Sequence, residues 1–180
     1  TSRRQRQMCI RDRILHWSLV SGVLGAWITR EGDDILHVQF GYLVLGIVAL
    51  RIIWGFVGFR HARFVDFVRS PRETISYLRS IIGRREPRHL GHNPLGGWMI
   101  LALLATITGI CLTGWLYTTD AYWGVAWVGE LHASLTDLLI GLVTLHILGV
   151  VFTSIRQREN LIKAMVTGRK RAPEPKLEVD

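Results

Sequence analysis

ELHASLTDLLIGLVTLH, residues 130–146, sets two histidines fourteen positions apart inside one apolar run. On an α-helix fourteen residues rise roughly 21 Å and turn through about 1400°, which returns within about 40° of the starting face. His132 and His146 therefore share one side of a helix expected over residues 131–155, one near each end of the apolar stretch. In a soluble core such a histidine is usually a hydrogen-bonded packing residue. Inside lipid a buried ionisable group is expensive and is retained for function. The setting of this helix decides between the two.

Three further segments have the length a bilayer requires, roughly 20 residues at 1.5 Å each. They cover residues 14–29, then Leu36 or His37 to residue 59, then 94–117, the last opened by Asn93 as N-cap and Pro94 at the first helical position. The 180 residues are 49% hydrophobic yet carry a net charge of +8, and the two properties separate along the chain. Residues 60–93 hold eight arginines and the stretch from Arg156 holds seven Lys or Arg, whereas the other two loops hold only Arg30. Basic residues that flank membrane-length segments follow the positive-inside rule, so both termini and the middle loop are predicted to be cytoplasmic. That distribution also argues against nucleic-acid binding, the usual reading of so basic a chain.

Within the middle loop, Ser70-Pro71-Arg72-Glu73 reads as an N-cap, a proline at N1 and a capping-box glutamate. Ile75, Leu78, Ile81 and Ile82 follow on one face, which predicts a short helix lying on the cytoplasmic membrane surface. Trp115, Tyr117, Tyr122, Trp123 and Trp127 at the opposite side suit an aromatic belt at the headgroups. The predicted fold is all-α: an integral membrane four-helix bundle with a cytoplasmic interfacial helix between helices 2 and 3. Residues 14–155 form the membrane domain and 156–180 a cytoplasmic tail, disordered after Gly168. Residues 1–13 are taken as a non-native N-terminal run, because RRQRQMCIRDR (3–13) resembles a translated sequencing adapter.

Depth sorts the seven histidines. His37 opens the second helix at the outer surface, level with His132, and His16 opens the first at the inner surface, level with His146. Two facing imidazoles per level are what six-coordinate haem iron needs. The absence of Cys-x-x-Cys-His makes both haems non-covalent and b-type. Bare zinc would want four ligands, and no acidic or thiol group joins either pair at matching depth. Gly41, four residues after His37, leaves room for a flat macrocycle. Arg51 lies at the depth of the inner pair, where it either meets a haem propionate or snorkels to the headgroups. His61, His89 and His92 fall in or beside the basic loop and read as interfacial.

These residues resemble a known family, bacterial cytochrome b561 with the related cytochrome b subunit of nickel–iron hydrogenases. The resemblance rests on His16-Trp17, LHVQFGYLVLGIVALRIIWGFVG (36–58), ARFVDFV (62–68), GHNPLGG (91–97) and ELHASLTDLLIGLVTLH (130–146). It implies a four-helix dihaem cytochrome of the bacterial inner membrane, with His16, His37, His132 and His146 as axial iron ligands. The family's Trp-Asp pair ahead of the first histidine is missing here, and His61 stands where relatives carry an aromatic residue. Three functions are weighed, of which the third leaves four histidines at two matched depths without a reason. The first is an electron-transfer subunit between the quinone pool and a periplasmic redox partner, either a multihaem c-type cytochrome or a dehydrogenase or hydrogenase subunit. The second is a stand-alone oxidoreductase that passes electrons from a small reductant such as superoxide to quinone. The third is a haem-free anchor or transporter. Acidic outer loops (Glu31, Asp33, Asp34, Asp120, Glu130) suit the first better than the second. A homo-oligomer is compatible with each.

Overall fold

The computed structural model describes residues 10–32, 34–57, 63–82, 94–156 and 159–168. They form α1 (Ile10–Thr29), α2 (Asp34–Val57), α3 (Phe64–Phe67), α4 (Pro71–Ile82), α5 (Pro94–Tyr117), α6 (Ala126–Arg156) and α7 (Leu161–Thr167). All regular structure among the described residues is helical, as the sequence predicts. Among the described residues three helices, α2, α5 and α6, are long and apolar enough to cross a membrane. The helix expected over 14–29 also forms, but Arg11, Asp12 and Arg13 occupy its first turn and shorten its apolar part. His61, His89 and His92 lie outside the described residues.

The long helices associate as two antiparallel hairpins, α1 with α2 and α5 with α6, joined by packing of α2 on α5. Hydrophobic drive between helices is weak in lipid, so close approach depends on small residues. Gly25 supplies this for the first hairpin, since a Cβ there would fall 2.6 Å from the Phe40 ring. Around α5, with α2 on one side and α6 on the other, Val44, Val48, Ile107, Cys111 and Leu139 form the core. Leu139 is seven residues from His132 and seven from His146, so this apolar plug lies midway between the two histidine levels. Among the described residues neither α1 nor α2 packs closely along α6, and α6 is the least covered of the three apolar helices.

The two ends of the assembly differ. At the end with His37, the Tyr42 and Thr118 hydroxyls approach at 3.5 Å. Gly124, at φ 72°, ends the intervening loop. The Tyr122 N–H donates to the Thr119 carbonyl and the Val125 N–H to that of Tyr122, and α6 then starts at Ala126, five residues before the apolar pattern suggests. At the opposite end α3 folds under α2. Its Phe64 ring sits directly on Gly55 and stacks edge-on against Phe56 at 5.4 Å. The Ser70 hydroxyl accepts the Glu73 N–H at 3.3 Å and starts α4 as the sequence predicts. Trp98 Nε1–H donates to the Arg69 carbonyl at 3.2 Å, tying this segment to α5. Ile75 and Leu78 stay exposed on α4, while Tyr77 is buried.

α7 lies within the stretch expected as tail. Asn160 caps it by accepting the Lys163 N–H at 2.8 Å, and Gly168 closes it at φ 76°, the left-handed conformation that suits glycine after a helix. It packs on α6, and the Trp17 indole N–H reaches the Met165 carbonyl at 3.4 Å.

Candidate functional site

His37 sits in the first turn of α2, and the carbonyls of the last turn of α1 face it across the connecting loop. The last four carbonyls of a helix lack an intrahelical partner. His37 Nδ1 lies 2.9 Å from one of them, that of Ala26, which the Thr29 hydroxyl also approaches at 3.3 Å. A carbonyl oxygen can only accept, so Nδ1 carries the proton and Nε2 is left with a free lone pair.

His132 reaches the same state by another route. Its Nδ1 lies 3.1 Å from the Ile110 carbonyl on α5. That carbonyl is in mid-helix and uses its second lone pair. Gly114 makes the approach feasible, because a Cβ there would stand 3.1 Å from His132 Cε1. Nδ1 again carries the proton, and Nε2 again is left as the free nitrogen. Two imidazoles whose free nitrogens are both acceptors cannot hydrogen-bond to each other through them. They call for an electrophile.

The two ring centroids are 6.2 Å apart and the planes are inclined at 74°. With a metal–nitrogen bond of about 2 Å on either side, imidazoles that share one metal ion have centroids roughly 6 Å apart. The ring spacing, with Nδ1 of each imidazole committed to a carbonyl, thus fits a metal with two axial imidazoles. Among the described residues no three His, Cys, Asp or Glu side chains gather, so neither histidine pair has the ligand set of a bare zinc site. A macrocycle that fills the equatorial positions itself fits two histidines per site. Orientation of a ligating imidazole by a carbonyl at its other nitrogen is the usual accompaniment of such sites.

At the far end His16 on α1 and His146 on α6 are both half-buried and interact electrostatically. They join two helices that do not otherwise pack closely. His16 also stands edge-on to Trp17, with centroids 5.4 Å apart.

The structure places the other two candidates as follows. Space for a Cβ at Gly41 is open, with no atom within 4 Å, and the Gly41 carbonyl accepts the Cys111 thiol at 3.8 Å. Arg51 is half-buried, with its guanidinium 5.6 Å from the Phe64 ring centroid and within electrostatic reach of Asp12.

Three contributors escape the sequence reading: the Ala26 and Ile110 carbonyls, and the Thr113–Gly114 step. Only the last leaves a sequence signal, a glycine within an apolar helix at the depth of a histidine.

A family model described as prokaryotic cytochrome b561 matches residues 10–168. Three similar proteins each bear the name probable Ni/Fe-hydrogenase B-type cytochrome subunit. The one from Rhizobium leguminosarum bv. viciae is 26% identical, covering 75% of this chain and 67% of that protein. The one from Rhodobacter capsulatus is 25% identical, covering 79% and 66%. The one from Azotobacter vinelandii is 27% identical, covering 87% and 84%. The chain thus spans about two thirds of the length of the first two.

Proposed function

The chain belongs to the prokaryotic cytochrome b561 family, and from that premise we propose that it is a transmembrane dihaem b-type cytochrome carrying electrons between membrane quinone and a periplasmic redox partner. α1, α2, α5 and α6 form a four-helix bundle across a bacterial inner membrane. The basic loop and both termini are cytoplasmic, and α4 lies on the membrane surface. His37 and His132 hold the outer haem, and His16 and His146 the inner one. Haem supplies a one-electron couple when bound. The protein's part is to fix the ligands and to separate the two levels with the core around Leu139. Gly41 leaves space beside the outer haem, and Arg51 pairs with a propionate of the inner one.

The observation that carries this reading is the 37/132 pair: two imidazoles 6.2 Å apart, each with Nδ1 committed to a backbone carbonyl. The relatives' names support service to a hydrogenase or similar partner over stand-alone turnover. Asp34, Asp120 and Glu130 at that end suit a cationic protein surface and would repel superoxide. The test is a reduced-minus-oxidised spectrum of the purified chain with a haem-to-protein ratio. A ratio near two is expected, and a preparation with no Soret band ends this reading.

A further inference from the structure

His132 has a second neighbour at Nδ1. The Thr113 hydroxyl lies 3.1 Å from it, on the same turn of α5 that offers the Ile110 carbonyl. Thr113 is buried, and its Oγ1 also lies 2.8 Å from the Gly109 carbonyl and 3.0 Å from that of Ile110. A hydroxyl has one proton and two lone pairs. Both carbonyls can only accept, so the single proton is held by one of them. The hydroxyl therefore faces His132 with a lone pair. Nδ1–H of His132 is shared between two acceptors, and both belong to α5.

We propose that Thr113 is a positioning residue for the outer haem: its hydroxyl and the Ile110 carbonyl form a two-acceptor cradle that fixes the tautomer and rotation of His132. Gly114 is the second part of the cradle, since it lets the ring lie against α5 closely enough to reach both oxygens. Two acceptors on Nδ1–H draw the proton outward and make Nε2 the more basic. A more basic axial nitrogen favours the oxidised over the reduced iron. The inference rests on the assignment of His132 as an axial ligand.

The test is a spectroscopic redox titration of the full-length haem-loaded chain, with each wave assigned from His132→Ala and His146→Ala. Thr113→Val keeps the shape and removes the acceptor. It is expected to raise the midpoint of the 37/132 wave, with a change of up to about tenfold in the oxidised-to-reduced ratio, or 59 mV for one electron. The 16/146 wave stays in place, and the haem-to-protein ratio stays at two. Thr113→Ser restores the wild-type midpoint. Gly114→Ala, whose new Cβ would stand 3.1 Å from Cε1 and 3.5 Å from Nδ1, should move the same wave in the same direction by pushing the ring off both oxygens. A wild-type chain with two haems in which Thr113→Val moves neither wave, or both alike, overturns the cradle and leaves the dihaem reading standing. A wild-type chain without haem removes both.

Discussion

At the 37/132 end each imidazole leans on a carbonyl of a neighbouring helix, Ala26 of α1 or Ile110 of α5. At the 16/146 end the two imidazoles interact electrostatically, and neither makes a hydrogen bond to any described residue. The first pair is held by hairpins that already pack tightly, α1 on α2 and α5 on α6. The second pair sits on the same two hairpins, and each pair reaches α6 from a helix, α2 or α1, that does not pack closely along it. Orientation at one end is thus built by the polypeptide.

The sharpest way to break this comparison is to remove one ligand at a time. His132→Ala and His146→Ala should each reduce the haem-to-protein ratio from two to one, and the haem that survives should differ between them. The survivor in His146→Ala, at the pre-oriented pair, is expected to resist transfer to a haem-scavenging protein better than the survivor in His132→Ala. A difference of about tenfold in release is the scale set by ligand-orienting hydrogen bonds. Equal release would mean that the carbonyls contribute nothing.

The three long apolar helices α2, α5 and α6 were legible from apolar run length, and helical depth grouped His37 with His132, whose rings stand 6.2 Å apart, because a membrane turns sequence spacing into position. α7 was not, although Asn160 and Gly168 mark its ends, since seven residues between charged stretches resemble a tail. The start of α6 was hidden because the boundary is made by turn bonds around Gly124 and by no change in hydropathy. The carbonyls behind His37 and His132 could not be read at all. Every residue has one, and only the packing of α1 on α2 and of α5 on α6 singles out Ala26 and Ile110.

A smaller effect is expected at Gly25. Its replacement by alanine would press a Cβ against Phe40 and part α1 from α2 next to the Ala26 carbonyl. Overpacking of this kind costs about 1–3 kcal/mol. Thermal melts followed at the Soret band should show the 37/132 haem released earlier, with the 16/146 haem nearly unaffected. Arg51→Gln should have the smallest effect, on the other pair. Loss of a positive charge near a propionate lowers the 16/146 midpoint, by less than about 59 mV if the change is under tenfold. A redox titration in which only the 37/132 wave moves would place Arg51 elsewhere.

The central claim is that each pair supplies both axial ligands of one iron. Low-temperature electron paramagnetic resonance of the oxidised, purified chain tests it most directly. Two low-spin ferric signals in equal amounts, without a high-spin component, are the predicted result. A dominant high-spin signal, or a single low-spin species at full haem loading, would contradict it.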